Sequence, residues 1–389
     1  MRTSAAVITL LFTLALLLSG LNAHAEFARF DDESNILVFD CVRIPQANNA
    51  TYELELSYNG EAFHLNRLSE SARSDSCPNT YDELTNVLSA TVRVGDDSWQ
   101  LTLSLSAANT FSVASTEYLG PGPTSLWRVS NGSSEILIGG TIHVLLPTDF
   151  PLPPAYAQAY AQSELLVTEL DLQQIQSTFL LPSFAALPVG QPTLSQTLSS
   201  DTYLALSSYL AERGALIDDY ETIRPNWLEL DIISLGLADL DYGVGVDAYF
   251  QSLAVNEGKT NLGLESMIDQ ILAINQLNQH LSVEELISRT LSGVLDPGYG
   301  AQFRKLVTAW REGNIQQIEA LAVLPRLQES TTDHDTFLVQ RNTAWIPRIV
   351  AMFNTPEVEL ILVGVSHLVG EGSVLAMLEG MGFEVSRFE

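Results

Sequence analysis

The chain has 389 residues, 46% of them hydrophobic, which excludes an intrinsically disordered protein and leaves room for about two domains. Against 47 Asp and Glu stand only 18 Lys and Arg, a net charge of −29. That balance speaks against nucleic acid as a partner, because polyanion binding draws on clustered cationic side chains.

Residues 1–25 read as an export signal. Arg2 supplies the charged start, an apolar stretch follows around 7–18, and Ala23-His24-Ala25 fits the small-x-small cleavage pattern, with the cut expected between Ala25 and Glu26. The run is short for a membrane span, and no later segment is long and apolar enough to cross a bilayer. The mature protein is therefore expected to be exported, periplasmic or extracellular, with no stable membrane span.

Residues 26–115 read as a small all-β domain. "NILVFDCVRI", "TYELELSYNGEAFHL" with Asn59-Gly60 placed for a hairpin turn, and "ATVRVGDDSWQLTLSLS" around a Gly-Asp-Asp turn are strand-like runs separated by turn residues. The only cysteines, Cys41 and Cys77, fall here. In an oxidising compartment they would pair, the alternative being two buried thiols. Residues 116–125, "TEYLGPGPTS", carry the Gly/Pro punctuation of a linker.

From 126 to 389 the pattern is mixed. A hairpin turning at Asn131-Gly132 is followed by a helix in "PPAYAQAYAQS" and then by a strand in "ELLVTELDL", on which Val167, Glu169 and Asp171 share one face. The middle is largely helical: Asp201 is placed to cap "TYLALSSYLAER", Ser282 and Glu285 form a capping box, and "QFRKLVTAWREG" closes at Gly313. A later helix carries Arg341 and Asn342 and contains Pro347. "DHD" at 333–335 reads as a solvated first turn whose acidic groups suit the helix dipole, and His64 and His280 read as surface residues. The fold class is α/β: a mixed β-sheet flanked by helices with a largely helical middle, preceded by the small all-β domain.

Two nine-residue stretches stand out. "EILIGGTIH" (135–143) and "ELILVGVSH" (359–367) each have a Glu, an apolar run, a Gly five positions after the Glu and a His three after that. The apolar runs are of strand length, so His143 and His367 each follow a strand end, with Gly140 and Gly364 permitting a tight turn or a close approach. In open α/β sheets ligands sit outside the carboxyl ends of strands, so two such loops would bring the histidines together. Glu169 would complete a two-His-plus-carboxylate set suited to zinc, manganese or cobalt, the bland alternative being histidines that merely cap strand ends. There is no H-E-x-x-H helix and no G-x-S-x-G elbow.

These residues resemble the TraB/GumN family, which includes the Tiki and pheromone-shutdown proteins. The resemblance rests on Gly140 to His143, Glu169 in "VTELD", Arg341-Asn342 in "VQRN", and Gly364 to His367, with "NLGLES" around Glu265 and "GVDAYF" at 245–250 as further segments. Gln340 departs from the pattern, where many relatives place an acidic residue. The resemblance implies a metal-dependent hydrolase, a peptidase acting on peptides or protein termini, with His143, His367 and Glu169 on a divalent ion and Glu169 and Arg341 as catalytic groups. Asn342, Glu265 and Asp171 would support them. It equally allows a non-catalytic protein that sequesters a peptide or other ligand in the same cleft. Arg341 is left between two roles, one at the reacting centre and one as a buried partner of Glu169 or Glu265.

Overall fold

The computed structural model describes residues 23–25, 28–31, 36–47, 50–59, 62–70, 79–94, 97–107, 109–121, 123–171 and 184–388. By its contacts the chain divides into two compact units, with the break between Thr124 and Ser125.

The first unit is all β. Strands β1 (Ala23–Ala25), β2 (Ala28–Asp31), β3 (Ile36–Ile44), β4 (Ala50–Tyr58), β5 (Phe63–Glu70), β6 (Thr80–Asp82), β7 (Val87–Val94), β8 (Asp97–Ala107) and β9 (Thr110–Pro121) form one sheet in the order β1-β2-β3-β4-β5-β9-β8-β7-β6. A β3–β6 pairing at Arg43 and Thr80 closes it into a barrel, which removes two open edges. Phe39, Val42, Leu56, Leu88 and Leu103 fill its interior. Residues 116–121, expected as linker, are the second half of β9, paired with β8 through Gly120 and Pro121 across three register shifts. Pro tolerates such a strand end because it has no ladder N–H to lose there. His64 is not free on the surface: Asn59 and Thr110 hydrogen-bond its two ring nitrogens at 2.8 and 3.2 Å. Cys41 is fully buried, whereas Cys77, Gly60 and residues 1–22 lie outside the described residues.

The second unit is a three-layer α/β structure. Strands β10 (Leu126–Ser130), β11 (Glu135–Thr141), β12 (Leu165–Thr168), β13 (Thr260–Gly263), β14 (Glu359–Gly364) and β15 (Glu384–Arg387) form a sheet in the order β13-β12-β14-β11-β10-β15. The first four in that order are mutually parallel, β10 runs against them and β15 runs with them, so β13, β12, β14 and β11 all end at the same edge. β14 is buried at every residue, as a central parallel strand covered on both faces must be. Its side chains alternate between two cores. Leu360 and Leu362 join Leu137, Leu166 and Tyr156 on one face, while Ile361 and Val363 join Ile136, Ile138, Val167 and Trp345 on the other.

The helices relevant to the site are α1 (Pro154–Gln162), α2 (Ser200–Glu212), α3 (Pro225–Ala238), α4 (Val246–Glu257), α5 (Met267–Gln276), α6 (Val283–Val294), α7 (Tyr299–Arg311), α8 (Gln340–Met352) and α9 (Val374–Gly380). Ser199 rather than Asp201 caps α2, accepting from the Thr202 N–H, which leaves Asp201 in the first turn where a carboxylate still suits the dipole. The Ser282/Glu285 capping box on α6 is present. "DHD" is not a solvated turn: Asp333 and His334 are each 5% exposed, and Asp333 pairs with His280 at 3.3 Å and accepts from the Asn278 N–H at 3.2 Å. No helix among the described residues is long and apolar enough to cross a membrane.

Candidate functional site

The repeated nonapeptide lies on adjacent parallel strands. β11 and β14 pair with Leu137 opposite Leu360 and Thr141 opposite Gly364, so the two histidines leave the sheet side by side at its carboxyl edge. The glycines explain the shared spacing. A Cβ on Gly140 would lie 2.7 Å from Val365 Cγ2, so the first motif makes room for the loop of the second. A Cβ on Gly364 would lie 3.2 Å from Glu169 Oε1, 3.5 Å from His143 Nε2 and 3.6 Å from His367 Cδ2. His143, Glu169 and His367 thus surround one backbone position that carries no side chain. The two glutamates that open the repeats lie at the opposite end of their strands; Glu135 pairs with Arg128 and Glu359 accepts from the Thr355 hydroxyl.

The Gly140 carbonyl is pinned from beneath by the Tyr156 hydroxyl at 2.5 Å and the Trp310 indole N–H at 2.6 Å. α4 docks on the His143 loop from the side. The Val246 N–H donates to the Ile142 carbonyl at 3.0 Å, and an ideal Cβ on Gly245 would sit 2.1 Å from the His143 carbonyl carbon. That close approach delivers Asp247, whose Oδ1 is 3.1 Å from His143 Nδ1. Asp247 lies within the "GVDAYF" segment, yet its own role was not legible, because a Gly-x-Asp in sequence does not say which backbone the glycine will meet.

β12 is shorter than the alternation implied. It ends at Thr168, and Glu169 lies just beyond it, so Glu169 and Asp171 do not share a strand face with Val167. Glu169 Oε1 accepts the Gly364 N–H at 2.7 Å, and its Oε2 meets Arg341 Nη2 at 2.6 Å. Asp171 is half-buried and does not line the cavity beside His143.

Arg341, Asn342, Trp345 and Ile349 are the buried side chains of α8, at the spacing of one helix face. A π-helical turn at Asp335–Val339 precedes α8 and aims the Phe337 carbonyl at Arg341 Nη1, at 3.2 Å. The remaining guanidinium donors go to Glu265 from Nε and Nη2, to Glu169 from Nη2, and to His367 Nε2 from Nη1 at 3.1 Å. All five Arg341 N–H bonds therefore have protein partners. Glu265 also accepts from the Trp345 indole at 3.1 Å. Asn342 donates its amide to the Gly372 carbonyl at 2.9 Å, which turns its oxygen toward His367 Nδ1 at 2.6 Å. His367 therefore carries its proton on Nδ1.

The electrostatics follow from these partners. His367 is 3% exposed, and burial pulls its pKa down to about 3, with Arg341 and His143 reinforcing and Glu169 opposing. For His143 the loss of water on one side of the ring is a downward pull, but the charge of Asp247, its hydrogen bond and Glu169 outweigh it and raise the pKa to about 9. Burial alone would raise Glu169, yet His367, Arg341, His143 and the Gly364 N–H bring it down to about 2. Glu265 moves up, because burial outweighs its bonds to Arg341. A cavity of about 340 Å³ opens beside His143 and Glu169, with Thr141, Asp247, Gln251 and Phe337 among its lining residues.

The model of the TraB/PrgY/gumN family matches residues 125–387, which is the whole sheet unit short of its last residue. Neither curated proteins nor solved structures gave a match to the chain.

Proposed function

The chain belongs to the TraB/PrgY/gumN family, and from that membership and the geometry of the site we propose an exported, metal-dependent hydrolase of peptides. The observation that carries the reading is how the two imidazoles are backed. Each Nδ1 is held on an oxygen, Asp247 for His143 and Asn342 for His367, which presents both Nε2 atoms beside the Glu169 carboxylate. Histidines that bind metals are oriented in this way by a partner on the far nitrogen. A donor set of two imidazoles and one carboxylate suits zinc, manganese or cobalt in chemistry, while among the described residues no group of three or more His, Cys, Asp or Glu side chains is already arranged to hold an ion. When bound, a divalent ion supplies Lewis acidity toward a carbonyl and lowers the pKa of water.

The chain's own groups then have separate tasks. Glu169 stays ionised and is fixed by the Gly364 N–H. Asn342 holds His367 neutral in one tautomer, whereas Asp247 orients the His143 ring at the solvent side and favours its protonated form, so a divalent ion would have to displace the Nε2 proton there. Arg341, with no N–H left to offer, is a positioning residue that sets the Glu169 carboxylate against Glu265. The signal at 1–25 supports export, and in an oxidising compartment a Cys41–Cys77 bridge would follow.

One observation favours a second reading, a non-catalytic protein that sequesters a ligand in the same cleft: Arg341 already occupies His367 Nε2 and one oxygen of Glu169. Calorimetric titration of the purified full-length chain with manganese, cobalt and zinc, together with cleavage of a peptide library with and without chelator, separates the two. The hydrolase reading expects one divalent site, lost in His143→Ala and in His367→Ala, and chelator-sensitive cleavage. Unchanged metal stoichiometry in both variants, or cleavage indifferent to chelator, overturns it.

A further inference from the structure

His367 has one ring lone pair to give, and Arg341 holds it. The Nδ1 proton is donated to the Asn342 oxygen at 2.6 Å, which leaves Nε2 as the only acceptor on the ring. Arg341 Nη1 lies 3.1 Å from that atom. The same guanidinium reaches Glu169 through Nη2, 2.6 Å from Oε2. One internal cation thus bridges two of the three groups in the donor set. His143 is not held in this way: Asp247 takes its Nδ1, and its Nε2 has no hydrogen-bond partner among the described residues.

A lone pair serves one partner at a time, so His367 Nε2 cannot accept the Arg341 N–H and bind an ion together. The spacing agrees. Two ligand atoms about 2 Å from a tetrahedral ion stand about 3.3 Å apart, whereas Glu169 Oε1 and His367 Nε2 are 3.9 Å apart. The ring and the carboxylate have to approach each other to share an ion, and the guanidinium is bonded to both. Arg341 is nevertheless well anchored elsewhere. Nε and Nη2 fork onto Glu265 at 3.1 and 2.6 Å, and Nη1 also donates to the Phe337 carbonyl at 3.2 Å. Three of its five bonds end on carboxylates and are the strong ones; the bond to His367 ends on a neutral nitrogen. That bond can open while the rest of the guanidinium stays in place.

We propose that Arg341 is a gate that sets which cations the site accepts: its Nη1 N–H occupies His367 Nε2 in the protein as folded, and the histidine becomes a ligand only when that single bond opens. The gate yields to ions that bind imidazole strongly, such as zinc and cobalt, and not to magnesium or calcium, which prefer oxygen ligands. This deepens the hydrolase reading, on which it rests for the ligand set, by naming the residue that excludes hard cations.

The test uses the full-length chain with zinc chloride and magnesium chloride as probes, read by NMR and calorimetry rather than by turnover. Before metal is added, a scalar coupling across the Arg341 Nη1–H to His367 Nε2 hydrogen bond is expected. It should vanish in proportion to bound zinc and survive magnesium. Arg341→Lys keeps a cation beside Glu169 and Glu265 but lacks the planar fork that reaches a further partner. Zinc is expected to bind this variant roughly ten- to a hundredfold more tightly than the wild type, the worth of a hydrogen bond to a charged group. The wild-type coupling carries the test if Arg341→Lys does not fold. Absence of the coupling before zinc is added, its persistence at saturating zinc, its loss with magnesium alone, or equal zinc affinity in the two chains would overturn the gate and leave the hydrolase reading standing. Zinc bound by neither chain would overturn both.

Discussion

The two Gly-x-x-His loops have the same spacing and leave neighbouring strands at the same sheet edge, yet they place their imidazoles in opposite environments. His143 has 63% of its side chain exposed and a carboxylate on its Nδ1; His367 is 3% exposed, with a neutral amide on its Nδ1 and a guanidinium on its Nε2. One is raised to about 9 and the other lowered to about 3. The motif fixes where the ring stands. The charge it carries is decided by elements far away in sequence, α4 for His143 and α8 for His367.

The harshest way to break the contrast is to remove the guanidinium. Arg341→Met leaves Glu169 and Glu265 buried together without their shared cation, and breaking such a buried pair costs about 3–5 kcal/mol. Equilibrium urea unfolding should show a loss of that size. A change below about 1 kcal/mol would mean that the network is not energetically coupled. The surviving folded fraction should show a raised His367 pKa, since Arg341 helps hold it down.

Next in size is the approach of α4 to the His143 loop. Gly245→Ala puts a methyl into the His143 and Ile142 backbone, where no side chain can give way. Overpacking of this kind costs about 1–3 kcal/mol, and here it should also uncouple Asp247 from His143. Wild-type stability together with an unmoved His143 titration would show that the two segments are not in this contact.

The gentlest perturbation exchanges the partners. Asp247→Asn gives His143 the kind of acceptor that His367 has, and its pKa should fall; Asn342→Asp gives His367 a carboxylate, and its pKa should rise. The sign of the stability effect differs between them. His143, raised when folded, contributes stability that is present below its unfolded pKa of about 6.5 and is lost as pH rises through about 9. His367, lowered when folded, contributes stability present above about 6.5 and lost as pH falls toward about 3, a window that continues into that of Glu169. Asn342→Asp should therefore soften the acid limb of the stability profile and Asp247→Asn the alkaline limb. Measured unfolding free energies at several pH values that leave both limbs unchanged would contradict the assignment of partners.

Much of the site was legible because it is built from strand ends. Strand runs followed by Gly and His place His143 and His367 at one edge, and the parallel pairing of β11 with β14 does the rest. Glu169 was found on an alternation that does not exist, since β12 stops at Thr168; a carboxylate just past a strand reaches the same edge without belonging to the strand. Asp247 and Gln251 were not found. Both lie on α4, and what brings them in is the absence of a side chain on Gly245 against the His143 backbone, a fit between two surfaces that no periodicity encodes. The burial of Asp333 and His334 was missed for a related reason: their partners, His280 and Asn278, come from the loop ahead of α6. In the first unit the strands and turns could be read, whereas barrel closure rests on the pairing of β3 with β6, far apart in sequence, which local pattern does not reveal.

The most direct test of the account is a histidine titration by NMR on the metal-free full-length protein, with His143→Gln and His367→Gln used for assignment among the six histidines. The account predicts that the His143 ring stays protonated past neutrality and titrates near 9, while the His367 ring remains the neutral Nδ1-protonated tautomer down to about pH 4. Two rings titrating together near the ordinary histidine value would contradict it, because the shared motif would then lack the opposing partners from α4 and α8.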